Sequence, residues 1–345
     1  MAQLFGHILN MSITGSYVIV FIIVARLFLR KVPKIFSFAL WSVVLFRLLC
    51  PFSMESIFSF IPSEVQNSPL NKLYTQTPQI PNVINTSEQA VNNISPVPIP
   101  STPAVPSGII PSNPSDVWIN IVQYLWLIGI VLLLIYCIVT TIRLSRNLRD
   151  ATPLFENVYE HNGISTPFVF GFFKPRIYLP NGLSDHEKAY IIKHEQVHIH
   201  RCDHMIKPLA FAVLCVHWFN PLVWLAFYLM SDDMEKSCDE SVIRQMGSGI
   251  KKEYSTSLLS LSTGRRFMGG SPLAFGESNT KGRIKNILNY KKPAFWVILV
   301  AILVVAALCV GLISNPKNDP LTVKDYASNL WSRTLPAMRT VQILK

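Results

Sequence analysis

Charged side chains are scarce in this chain: Asp, Glu, Lys and Arg make up 15% of its 345 residues, against about a quarter in soluble domains. With 50% of residues hydrophobic and a mean hydropathy of +0.34, the shortage argues against an ordinary soluble enzyme and for a membrane protein. Paired cysteines are missing as well. Cys50, Cys137, Cys202, Cys215, Cys238 and Cys309 include no C-x-x-C spacing, so no disulfide framework is indicated. The first apolar run lacks the basic start and the A-x-A-like cleavage site of a secretory signal. No nucleic-acid recognition motif accompanies the net charge of +11. In a membrane protein the placement of these cations matters more than their sum.

What is present is a set of apolar runs, at residues 4–29, 35–52, 117–142 and 294–313. Each is read as a span of a hydrocarbon core of about 30 Å, the second only just long enough. Arg47, near the end of that second run, reads as a cation snorkelling to the headgroups. Residues 53–116 are rich in Pro, Ser and Asn and hold one basic residue, Lys72. They read as an exposed connection with too little apolar periodicity to build a core. The link 26–34 instead carries four basic residues, Arg26, Arg30, Lys31 and Lys34, and the third run meets Arg143, Arg146 and Arg149. The positive-inside rule then puts residues 26–34 and 143–292 in the cytoplasm, and the amino terminus, residues 53–116 and the tail 315–345 outside.

Residues 205–230 are apolar enough for a further span, but His217-Trp218-Phe219-Asn220-Pro221 interrupts them and both flanks are basic. Asn220 can cap a new helix with Pro221 at its first position. Each half would be about 18 Å long, too short to cross alone, so the segment is read as a helical hairpin against the membrane.

Between Pro153 and Pro180 the pattern changes to short β-like pieces, with Phe168-Val169-Phe170 and Arg176-Ile177-Tyr178 as strands. Ser184-Asp185-His186-Glu187 has the form of a capping box and opens a helix to about His200. That helix carries His194-Glu195-Gln196-Val197-His198, an H-E-x-x-H match. On a helix the two histidines share a face and can bind one zinc ion, and Glu195 can serve as general base toward water activated there. A catalytic zinc needs a third protein ligand. The candidates are His200, His204, His217, Asp232, Asp233, Glu235, Asp239 and Glu240. His200 points well around the helix. Asp232 to Glu240 place five carboxylates in nine residues, expected to begin a helix after the hairpin. Glu235 and Asp239, spaced i, i+4, share one face, so the first can ligate zinc while the second orients a histidine.

These residues resemble the BlaR/MecR family of membrane zinc peptidases, the antirepressor sensor-transducers of bacterial β-lactam resistance. The resemblance rests on Ile192 to His204, on His217-Trp218-Phe219-Asn220-Pro221-Leu222-Val223-Trp224 and on Asp233-Met234-Glu235-Lys236-Ser237-Cys238-Asp239-Glu240. It extends to residues 166–180, 271–277 and 281–285. It implies His194, His198 and Glu235 as ligands of one zinc ion per chain, Glu195 as catalytic base and Asp239 as the residue that orients a histidine. It further implies a mainly α-helical, multi-pass protein of the bacterial cell membrane, with about four transmembrane helices and a cytoplasmic gluzincin-like zinc peptidase domain built from helices and a small β element.

In that scheme residues 1–52 form two transmembrane helices with a cytoplasmic link and 53–116 an external loop. Residues 117–142 form the third span, 143–292 the peptidase domain with its hairpin 205–230, 293–314 the fourth span and 315–345 an external tail. The implied function is cleavage of a cytoplasmic protein, such as a DNA-binding repressor, in signal transduction. Membrane lipids are the other expected partner, and no direct nucleic-acid contact is expected. The resemblance departs at the carboxyl end, where residues 314–345 are too few for a penicillin-binding sensor domain. Ser314-Asn315-Pro316-Lys317 matches S-x-x-K but reads as a polar turn, and Arg265-Arg266 as a solvated basic loop. Two alternatives stay open: a quality-control peptidase resembling the HtpX and CAAX-prenyl endopeptidase group, or a non-catalytic membrane receptor or scaffold.

Overall fold

A computed structural model of the chain describes residues 2–50, 55–56, 114–263 and 279–316. Most of the loop 53–116, Arg265-Arg266, residues 271–277, Lys317 and the tail beyond it lie outside those residues.

The first apolar run forms helix α1 (Ala2–Phe28), followed by a single 3-10 turn, Leu29–Lys31. The turn stops where Pro33 forces Val32 into extended backbone. Helix α2 (Lys34–Leu49) then runs back along α1. Helix α3 (Pro114–Asn147) has 34 residues and leads through a short 3-10 turn into the sheet. Among the described residues, three helical stretches are long and apolar enough to cross a membrane: Leu4–Lys31, Asn120–Asp150 and Phe295–Ile313. Helix α2 has 16 residues, about 24 Å at the usual helical rise, and so falls short of the hydrocarbon thickness.

Four short strands follow: β1 (Thr152–Phe155), β2 (Val158–His161), β3 (Phe168–Phe170) and β4 (Arg176–Pro180). Their spatial order is β1-β2-β4-β3, with β2 and β4 parallel and the outer pairings antiparallel. Strand β3 is therefore an edge strand. Phe168, Tyr178 and Tyr159 stack across neighbouring strands with ring centroids 5.7 and 5.6 Å apart, the kind of side-chain ladder that fixes register. On the other face Val158, Ile177 and Leu179 pack on Ile191 of the next helix.

That helix, α4 (Asp185–His200), begins at a complete capping box. The Glu187 N–H donates to the Ser184 hydroxyl and the Glu187 carboxylate accepts from the Ser184 N–H. Its buried positions, Tyr190, Ile191, His194, Glu195, Val197 and His198, recur at helical spacing and turn one face inward. Helix α5 (Asp203–Val216) and helix α6 (Pro221–Met246) are separated by residues 217–220. Asn220 caps α6 by accepting from the Leu222 N–H at 2.9 Å, with Pro221 first in the helix. The Asn220 side chain also donates to Ser12 and Ser16 hydroxyls of α1 at 2.8 Å each. Helices α7 (Lys251–Thr263), α8 (Thr280–Asn289) and α9 (Phe295–Ile313) complete the described chain.

Helix α6 joins the two main cores. Its first half packs through Val223, Ala226 and Met230 into a cluster with α1, α2 and α5. Its second half, through Cys238, Val242 and Ile243, packs with Tyr190, Tyr254 and Ile287 of α4, α7 and α8. The carboxylate cluster 232–240, expected to begin a helix, lies instead inside the 26-residue α6. The correction has a simple reason: nothing in residues 222–240 breaks a helix, and apolar and acidic stretches share one continuous hydrogen-bond ladder.

Candidate metal centre and cleft

Helices α4 and α6 meet where their two motifs face each other. His194 and His198, one turn apart on α4, bring their Nε2 atoms to 3.1 Å. Glu235 of α6 places Oε2 3.4 Å from the first and 3.7 Å from the second. Donor atoms around a tetrahedral zinc, bonded at about 2.0–2.2 Å, are roughly 3.3–3.6 Å apart. The triad therefore has the spacing and the chemistry of a three-ligand metal site.

The Nδ1 side of each ring is held separately. His198 Nδ1 lies 2.8 Å from Asp203 Oδ2. His194 Nδ1 lies 2.9 Å from the Tyr254 hydroxyl, which donates to Asp239 Oδ1 at 2.7 Å. Asp239 Oδ1 is itself 3.3 Å from His194 Nδ1. With Nδ1–H donating outward in both rings, both Nε2 lone pairs turn toward the point that Glu235 Oε2 also faces, where a cation would sit.

Arg283 of α8 ties these groups together. Its guanidinium takes both oxygens of Asp239, at 2.6 and 2.8 Å, and reaches Glu235 at 3.1 Å and His194 Nε2 at 3.3 Å. Burial pushes Glu235 upward, yet Arg283 and then His198 hold its carboxyl well below the ordinary range. Burial opposed by Arg283 likewise leaves Asp239 at about 2. Burial and the neighbouring Asp239 push the Tyr254 hydroxyl well up, so it stays a proton donor. For His194 burial works downward, but Asp239 and Glu235 outweigh it and raise its pKa.

Glu195 is buried and lines the same cavity, of about 360 Å³. The cavity is walled on one side by residues 166–172, including all of edge strand β3, and on another by Met234, Leu258 and Leu261. Its lining is mostly apolar, with the His-Glu cluster at one place.

The other candidate ligands lie elsewhere. His200 is exposed at the end of α4. His204 lines the cavity, outside the triad. His217 is buried against the Leu48 carbonyl at 3.2 Å. Asp232 and Asp233 bind Arg26 at 2.9 and 2.7 Å. Glu240 accepts from the Lys34 backbone N–H and from Asn286. A second cluster, His198, Asp203 and Cys238, has ligand spacing. There the Arg201 guanidinium donates to Cys238 Sγ at 3.2 Å and lies 3.6 Å from Asp203, and the cluster uses the Nδ1 side of His198, away from Glu195 and the triad.

Asp203, Tyr254 and Arg283 escape a reading of residue spacing. Asp203 reaches back because Cys202 takes a left-handed conformation, φ 59°, which only glycine announces in a sequence. Tyr254 stands 60 residues from His194 and Arg283 stands 89, and no periodicity links them.

This geometry defines a membrane-helix protein with a metal-type His-Glu centre, and sequence comparison supplies its family. The chain belongs to the BlaR1 peptidase M56 family, whose profile matches residues 6–287. The methicillin resistance mecR1 protein of Staphylococcus aureus is 31% identical over 137 residues, 37% of this chain and 23% of that protein. The regulatory protein BlaR1 of Bacillus licheniformis is 23% identical over 193 residues, 48% of this chain and 32% of that protein. The matched part thus covers no more than about a third of these relatives' length.

Proposed function

We propose that the protein is a membrane-embedded zinc metalloendopeptidase that cleaves a cytoplasmic protein, a transcriptional repressor being the expected target, in signalling of the kind named for its relatives. The observation that carries this reading is the convergence of His194 Nε2, His198 Nε2 and Glu235 Oε2 beside Glu195, in a cavity rimmed by an edge strand. His194, His198 and Glu235 would hold the ion, which supplies Lewis acidity toward a peptide carbonyl and water. The outer edge of β3, which no other strand pairs among the described residues, offers backbone N–H and C=O groups to an extended peptide and so lays its backbone across the cavity. Glu195 takes a proton from the attacking water and delivers it to the amine nitrogen as the C–N bond breaks. Asp203, and Tyr254 with Asp239, keep both histidine rings oriented. The apolar walls exclude bulk water and favour apolar side chains next to the scissile bond.

The proposed topology keeps four spans, the short α2 crossing with local thinning of the bilayer and snorkelling of Arg47, with residues 143–292 cytoplasmic and 53–116 and 315–345 outside. Its support is electrostatic. Arg26, at the basic end of the first span, reaches Asp232 and Asp233, within about one turn of Glu235, which supports a centre at the cytoplasmic boundary of the bilayer. The test measures metal content and cleavage together. Wild type and Glu195→Gln should both hold about one zinc per chain, His194→Ala should not, and only wild type should cut. Cleavage by Glu195→Gln at the wild-type rate would sink the proposal. Comparison of cleaved cytoplasmic proteins then separates one repressor-like target from the many targets of a quality-control peptidase.

A further inference from the structure

A second pocket, of about 480 Å³, lies where the long membrane-type helix α3 ends and meets the sheet. Among the described residues, three cations line it, Arg149, Lys174 and Arg176, and no carboxylate does. Among the described residues none of the three is ion-paired with a carboxylate. Arg176 stacks over the Tyr159 ring at 5.0 Å, which fixes its guanidinium beside the pocket. Lys174 is placed by a tight turn. Gly171 has φ +119°, and a Cβ there would meet the Lys174 carbonyl at 2.5 Å, so only glycine fits.

The tip of the same turn carries Phe172 and Phe173, in edge-to-face contact at 5.0 Å. Phe173 is 89% exposed, although it is a large aromatic side chain with a tyrosine-rich sheet close by. Paired cations together with exposed aromatics at the end of an apolar helix are the combination that grips a bilayer surface. Arg149 lies six residues past Arg143, the first cation of α3, or roughly 9 Å along the helix. Arg149 itself sits in the 3-10 turn after α3, and the headgroup layer is about 5–8 Å thick on each side of the hydrocarbon, so the pocket stands at the outer rim of the headgroups, within reach of its long cationic side chains.

We propose that this pocket binds the phosphate of an anionic phospholipid headgroup, and that Phe172 and Phe173 enter the acyl boundary beside it. Guanidinium and ammonium groups converging without acidic partners suit a phosphodiester, and the aromatic tip selects a lipid over a free anion. The site has a consequence for the cleft. Phe170 and Gly171 line both cavities, so a lipid held by Lys174 and Arg176 steadies the β3 edge from behind. The inference rests on α3 being a span and not on the peptidase chemistry.

The test uses the full chain in nanodiscs of phosphatidylglycerol or of phosphatidylcholine, read by amide hydrogen exchange over residues 168–176 and by native mass spectrometry of retained lipid. Exchange should be about tenfold slower in the anionic discs, and wild type should retain phosphatidylglycerol. Arg149→Gln/Lys174→Gln/Arg176→Gln should erase both effects, and Phe173→Ser should weaken them. Unchanged exchange over residues 238–243 shows that each variant is folded. The charge-preserving Arg149→Lys/Arg176→Lys should retain most of the lipid. Equal exchange and equal retention in the two lipids would overturn the proposal. So would full protection in phosphatidylcholine discs by inorganic phosphate, which makes it a soluble-anion site, or by a phosphopeptide, which makes it a protein-docking site. Because no readout is cleavage, failure here leaves the proposed function standing, and the reverse also holds.

Discussion

Arg283 is the residue on which the electrostatics of the centre turn. It compensates two buried carboxylates, Asp239 with no measurable exposure and Glu235 with 6%. Removing one partner of a buried pair leaves an unpaired charge and costs about 3–5 kcal/mol. Arg283→Met should therefore lower the unfolding midpoint strongly, and a midpoint within error of wild type would show that Glu235 and Asp239 find other partners. Tyr254→Phe is the milder change. It removes the hydroxyl between His194 and Asp239 and should cost about 1–3 kcal/mol. By loosening a ligand's orientation it should also weaken metal binding roughly 10–100-fold. Titration with a competing chelator measures the second effect. Unaltered affinity would mean that Asp239, 3.3 Å from His194 Nδ1, is sufficient alone.

At the scale of elements, α4 must start in one place for its histidines to face α6, and the Ser184 capping box sets that start. Ser184→Ala should cost about 1 kcal/mol. The box also has a pH signature. The Ser184 backbone N–H, then its hydroxyl, hold Glu187 below its ordinary 4.5. The folded value is the lower one, so this stabilisation is complete above that pH and is lost as pH falls through the folded value. Glu187→Gln should flatten the pH dependence of the unfolding midpoint below 4.5; identical slopes for variant and wild type would remove Glu187 from the account. The capping box and the Asn220-Pro221 helix start were legible in the sequence because both are local hydrogen-bond arrangements. The position of Asp232 to Glu240 within α6 was not, since acidic residues suit a first helical turn and a helix interior alike when distant cations pair with them.

Across the whole molecule, the α1–α2 elbow is fastened to the helix that carries Glu235. Arg26 binds Asp232 and Asp233, Trp41 donates to Asp233 at 3.0 Å, and the Lys34 N–H donates to Glu240 at 2.8 Å. Asp233 is fully buried, so Arg26→Leu strands it and should cost about 3–5 kcal/mol. Adding Asp233→Leu should recover part of that loss, because the partnerless carboxylate goes too. Thermal unfolding in detergent reads both, and equal midpoints for the single and double variants would mean that Asp233 is not the group left stranded.

The sequence by itself determined the apolar runs, the starts of α4 and α6, the pairing of His194 with His198 on one face, and Glu235 with Asp239 as candidates. All of these follow from contacts within about one helical turn or from local composition. Only the tertiary structure decided which of eight candidate ligands stands opposite the histidine pair, that Asp203, Tyr254 and Arg283 hold it, and that β3 is the edge strand rimming the cavity. Those relations join residues 5 to 89 positions apart. They depend on how α4, α6, α7 and α8 pack around one buried cluster of charge, which no local pattern encodes.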